Sequence, residues 1–141
     1  MKKIFLILLI TVLTKNINAQ SGVPDTLSYL QSIVANKNAY IGQPFSTLYN
    51  DLQIQVKHFW PNASIHYNKT KETSTQFAFY FPLLQEDIYL TYPCIEVYWQ
   101  TPLDKTQSDI IRGTNNNRGQ WNTPAYNFYR NAIIADIQLI E

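Results

Sequence analysis

Three side chains near the middle of the chain, His58, Cys94 and Glu96, could do chemistry together if the fold brings them into one cleft. A cysteine becomes a nucleophile when a nearby positive or basic group stabilises its thiolate, so a histidine converging on Cys94 would define a hydrolase. Cys94, Glu96 and Tyr98 share one face of any strand that contains them. His58 lies far off in sequence, between Val56 and Trp60 on an apolar parity, whereas His66 has the polar parity of its run, so the two histidines point apart. A zinc site needs three or four converging ligands, and neither an HExxH nor a CxxC pair is present; no metal and no cofactor is expected.

Other reactive residue types read as structural. In YIGQPFSTLYNDL, Ser46 is flanked two residues away by Pro44 and Leu48, where a nucleophile elbow needs glycines. It reads as a first-turn serine. Glu86 and Asp87 are adjacent, so their carboxylates diverge and suit a solvated turn better than acid/base work. A phosphate-cradling loop has no place in a chain with 4 glycines. Cys94 is then expected to be an inert, partly buried thiol, with no catalytic residue assigned.

The elements that must position these groups follow from periodicity. Leu27, Leu30, Ile33 and Val34 recur at helical spacing after Asp25, and Asn36 to Asn38 stop the helix. Pro44 suits a first helical position before Phe45, Leu48 and Leu52, with Gly42 turning the chain. From Gln53 the period becomes two: Ile54, Val56, His58 and Trp60 form one face of a strand, Pro61-Asn62 a turn, and Ile65 to Tyr67 a shorter strand. Phe77, Phe79 and Phe81 mark a central strand. Ile88, Leu90 and Tyr92 alternate on even numbers and Ile95, Val97 and Trp99 on odd ones, so a strand bent at Pro93 is expected. Residues 102–120 read as the longest loop, with a helical turn or two around Ser108 to Arg112, closed by Trp121 packing beside the next helix. Thr123 reads as an N-cap and Pro124 as the start of a helix carrying Ala125, Phe128 and Tyr129. A last strand puts Ile133, Ala135, Ile137 and Leu139 on one face. The expected fold is α+β, an antiparallel sheet of about five strands with helices packed mostly on one face.

Aromatic content is high, with 10 tyrosines, 3 tryptophans and 7 phenylalanines in 141 residues. The phenylalanines fit core positions, but Tyr80, Tyr89 and Tyr98 have the parity opposite to their strands' core residues. Aromatics on a sheet face bury much area at little entropic cost and suit the recognition of proteins or sugars. With Ile110 and Ile111, the only apolar pair in the long loop, they are the candidate binding residues.

Lys2-Lys3, an apolar run from Ile4 to Leu13 and a polar stretch ending at Ala19 make residues 1–19 a signal peptide, leaving residues 20–141 as one domain. The apolar run is about half the length a bilayer-spanning helix needs, and none follows it, so no membrane span is expected after cleavage. Lys2, Lys3 and Lys15 leave with the leader, which takes the chain from 11 basic side chains to 8 against 10 acidic and its charge from +1 to −2. Without a basic cluster it lacks the footprint of a nucleic-acid binder. A single cysteine excludes an internal disulfide, so packing must hold the domain.

The signal ending NAQ, a helix leading into YIGQPFSTLYNDL, aromatic strands and the closing FYRNAIIADIQLI together resemble small exported uncharacterised proteins of Bacteroidota. The order helix, helix, antiparallel strands is also similar, at fold level, to β-lactamase-inhibitor-like domains, which implies action by binding proteins. The expectation is a periplasmic or extracellular, non-enzymatic binding protein with a protein or glycan partner. An exported hydrolase using Cys94 or His58, or a structural envelope component, is the alternative.

Overall fold

The computed structural model describes residues 25–80, 92–114 and 118–141. The expected leader therefore lies outside the described residues, as do Phe81, Glu86, Asp87, Ile88, Tyr89 and Leu90. Among the described residues, four α-helices and a four-stranded antiparallel sheet make an α+β fold with the helices mostly on one face.

Helix α1 (Thr26–Ala35) begins where the Asp25 carboxylate accepts the Leu27 N–H at 3.0 Å and the Ser28 N–H at 3.3 Å, and it turns Leu30 and Ile33 into the core. Gly42, at φ 79°, supplies the left-handed turn ahead of α2 (Phe45–Asp51). Pro44 caps α2 from outside, with an extended backbone, and does not occupy its first helical position as expected.

Strands β1 (His58–Asn62), β2 (Lys71–Ala78), β3 (Cys94–Asp104) and β4 (Ile134–Ile140) pair in chain order. Helices α3 (Lys105–Gly113) and α4 (Thr123–Tyr129) are inserted between β3 and β4. The registers align Phe59, Phe77, Ile95 and Leu139 in one row, and Pro61, Thr75, Val97 and Ile137 in another. These rows face the helices, which contribute Leu30, Phe45, Leu48, Ala125 and Tyr129 to the same core. Phe45 stacks on Phe77 at 4.7 Å and Trp99 on Tyr129 at 5.6 Å, so much of the aromatic content is core. The alternate rows, Trp60, Gln76, Glu96 and Gln138, then Asn62, Ser74, Tyr98 and Asp136, lie on the opposite face.

Several expectations are corrected. The sheet has four strands among the described residues, because residues 65–67 form a turn, the Ile65 carbonyl accepting the Asn68 N–H at 3.0 Å, and Tyr67 is 94% exposed. Pro61-Asn62 does not turn: it continues β1, an edge strand, where a missing N–H is tolerated. Residues 53–57 are not strand, so their parity does not carry into β1, whose core residue is Phe59 while His58 and Trp60 face away. Residues 102–120 are not one long loop. β3 runs on to Asp104, which pairs with Lys71, and α3 follows, capped by the Asp104 carboxylate on the Thr106 N–H at 2.9 Å. Asn122 rather than Thr123 caps α4, accepting the Ala125 N–H at 2.8 Å. In β4 the register shifts between Tyr98 and Trp99, which leaves Ala135 unpaired and turns Ile134 inward in place of Ile133.

Candidate functional site

The sheet face opposite the helices holds the residues that could react. His58, Cys94 and Glu96 all lie on it, yet β2 separates His58 from the other two, a gap of two strand spacings or about 10 Å. Each is occupied where it stands. The His58 Nε2 lies 2.9 Å from the Arg118 carbonyl oxygen, and burial holds its pKa below the usual imidazole range. Burial, followed by the charge of Glu96, pushes the Cys94 thiol up to about 11, so it carries no thiolate near neutrality. Glu96 accepts from Ser74 Oγ at 2.6 Å, Asn62 Nδ2 at 3.1 Å and Tyr98 OH at 3.1 Å. No nucleophile–base pair forms among these three. Among the described residues no group of three or more His, Cys, Asp or Glu side chains could hold a metal ion.

Of the candidate binding residues, Tyr98 and Tyr80 lie apart on the sheet. Tyr98 sits beside Ser74, and its hydroxyl is held above the ordinary phenol range by burial and then by the charge of Glu96. Tyr80 follows the far end of β2, Ala78, about 13 Å along the strand from Ser74. Its ring lies 4.3 Å from Tyr92, and burial, with Cys94 and Tyr92 beside it, pushes its pKa up to about 12. Tyr89 is outside the described residues. Ile110 is 61% exposed, whereas Ile111 is half-buried and packs on the core, so Ile110 offers the larger apolar surface of that pair.

A second titratable cluster is interior. Glu72 is fully buried on β2, and its Oε1 accepts from the Tyr129 hydroxyl at 2.9 Å and from the Thr75 hydroxyl, which in turn accepts the Trp99 indole N–H at 2.9 Å. Its other oxygen has no hydrogen-bond partner. Burial raises the Glu72 pKa, although the hydroxyls of Ser108, Thr75 and Tyr129 favour its charged form. The site is sealed from solvent and ties β2, β3 and α4 together, which is an architectural task.

A different surface has the form of a binding site. Three adjoining depressions of about 270, 200 and 330 Å³ all include Tyr49 of α2 in their walls. Trp121 lines the first and third, Tyr126 of α4 the third. The Tyr49 ring lies 4.8 Å from Tyr126 and 5.8 Å from Trp121, and the Trp121 indole N–H donates to the Tyr49 hydroxyl at 3.2 Å. Trp121 is fixed from behind, stacked on Tyr129 at 6.1 Å and edge-on to Phe77 at 5.6 Å, as its expected anchoring role requires. Gly119 makes this possible. At φ 90° it lets the chain run along the edge of β1, where its carbonyl accepts the Phe59 N–H and the Trp121 N–H reaches the Lys57 carbonyl, both at 2.9 Å. The rim is amide-rich: Gln53, Gln55, Gln120 and Asn122. Sequence reasoning anchored Trp121 correctly but missed Tyr49 and Tyr126. Their signal was available, since Tyr126 falls off the stripe of Ala125, Phe128 and Tyr129 on a helix whose other face meets solvent.

Fold and surface together define a small α+β domain with a one-sided helical cover, its thiol and imidazole held apart, and an aromatic groove open at the β1 edge. Compared with protein-family models, curated proteins and solved structures, the chain matches none.

Proposed function

We propose that the protein is an exported, non-enzymatic binding domain that acts in the periplasm or outside the cell. The observation that carries the reading is the set of depressions meeting at Tyr49, where aromatic rings braced by the core stand beside hydrogen-bonding side chains that are uncharged apart from Lys57. Such a surface needs no titratable cluster, and the separation of Cys94 from His58 weakens the hydrolase alternative. Export rests on the leader pattern of residues 1–19 and agrees with the resemblance to small exported proteins of Bacteroidota. No helix among the described residues is long and apolar enough to cross a membrane.

Two measurements test this reading. N-terminal sequencing of the protein recovered from the periplasm or medium should begin at Gln20; an uncleaved chain retained in the cytoplasm refutes export. Pull-down from envelope extract and culture medium should retain a partner that the Tyr126→Ala variant loses. Identical retention by both proteins refutes the groove as the binding surface.

A further inference from the structure

We infer that the groove around Tyr49, Trp121 and Tyr126 binds a neutral glycan chain through the C–H faces and hydroxyls of consecutive sugar rings; this rests on the binding reading above. Four features of the groove point to that ligand class. Its aromatic surface is divided among three half-buried rings that are held in place by other rings, so the part they expose does not need to be ordered on binding. Gln53, Gln55, Gln120 and Asn122 line the same depressions, the oxygens of Gln55 and Asn122 already accepting one hydrogen bond each, from Lys57 and the Ala125 N–H. A carboxamide carries both a donor and an acceptor on neighbouring atoms, which matches a pair of vicinal hydroxyls, each also donor and acceptor.

Charge argues the same way. The lining side chains include one cation, Lys57, whose ammonium lies 2.7 Å from the Gln55 amide oxygen, and no carboxylate. An anionic polymer would want clustered cations, and glycoside hydrolysis would need a carboxylate pair flanking the bond. Binding without cleavage is what this lining supports. Shape favours an extended ligand over a compact one. Two of the depressions are smaller than the usual range of drug-sized pockets, about 300 Å³ upward, and the third is barely inside it, while the first shares Gln55 and Val56 with the second and Trp121 with the third. An extended chain of repeating units fits that form better than a single bulky molecule.

The test uses protein purified after expression of the full chain. Its probes are soluble β-1,4-linked glucose and N-acetylglucosamine oligomers from dimer to hexamer, insoluble cellulose and chitin, and polygalacturonate as the anionic control. Indole fluorescence and calorimetry should show saturable binding to a neutral probe, with affinity rising about tenfold or more from dimer to hexamer, or about 1.4 kcal/mol. Added salt should leave it unchanged. Tyr126→Ala and, separately, Gln55→Ala should each weaken it about tenfold, again about 1.4 kcal/mol, with the thermal midpoint preserved. Gln55 is exposed, so its variant remains informative if Tyr126→Ala fails to fold. Absence of binding to every neutral probe overturns the inference, as does binding that both variants retain or binding to polygalacturonate alone. A protein captured through Tyr126 with no glycan bound overturns the glycan and leaves the binding reading standing; failure of both kinds of capture overturns both.

Discussion

Replacing Glu72 by glutamine isolates the cost of burying a carboxyl group. The amide oxygen of Glu72→Gln can still accept from Tyr129 and Thr75, so the contacts of Glu72 Oε1 are kept, while its NH2 takes the place of the unpartnered oxygen and sets a pH-independent loss of about 1–3 kcal/mol. What disappears is the titration. Burial raises the folded-state pKa of Glu72 above its ordinary value of 4.5, so the folded protein holds this proton more tightly than the unfolded chain does. The stabilisation from that protonated carboxyl is fully present below the unfolded pKa and is lost as pH rises through the folded one. The wild type should therefore lose stability relative to Glu72→Gln between those two values, with a slope no steeper than about 1.4 kcal/mol per pH unit, the limit for one proton. Urea unfolding of both proteins in a series from about pH 4 to about pH 8 measures the difference directly. Glu72→Ala serves as the contrast, since it strands the buried Tyr129 hydroxyl at about 1–3 kcal/mol at any pH. A difference between wild type and Glu72→Gln that stays flat across the series, or that grows in favour of the wild type as pH rises, refutes the reasoning.

Gly119→Ala should cost about 2 kcal/mol or more, because a side chain at φ 90° is strained and its Cβ would stand 2.7 Å from His58 Cε1. Gly113→Ala meets nothing within 4 Å at the end of α3 and should stabilise by about 0.5 kcal/mol, so thermal melts of the pair separate backbone demand from mere substitution. Cys94→Ala should leave folding intact at a cost of about 1 kcal/mol, and the native thiol should react slowly with a disulfide reagent at neutral pH and quickly in denaturant. Fast native labelling would contradict the buried, protonated thiol.

How much of this was legible from the residues depends on where the apolar signal was strong. α1, α2, the inward Phe77 and the Ile95–Val97–Trp99 face follow from periodicity because each buries several large side chains at fixed spacing. The far half of β3 did not, since Thr101, Pro102 and Asp104 are exposed and alternate without an apolar partner; pairing of Leu103 and Asp104 with β2 holds them extended. α3 was read as a turn or two because Ile110 and Ile111 are its only large apolar residues, although its Asp104 cap and Lys105–Asp109 pair at 2.6 Å are local signals. Glu72 carries no apolar signal, and the tertiary contact with Tyr129 is what reveals it as core. The Tyr49 groove is the least legible feature. Its walls come from α2, the segment before β1 and the start of α4, three pieces that long-range contacts bring together, among them the bridge between His58 and Gln120, the packing of Trp121 and the Ser46 N–H on the Arg130 carbonyl.

Backbone amide shift mapping during titration with a β-1,4-linked glucose or N-acetylglucosamine hexamer most directly tests whether the Tyr49 groove, and not the polar sheet face, is the working surface. Shifts should concentrate at residues 49–57 and 120–126 and leave Glu96, Tyr98 and Gln138 unmoved. Shifts clustered around Glu96 and Tyr98, or none with either hexamer, would contradict the account.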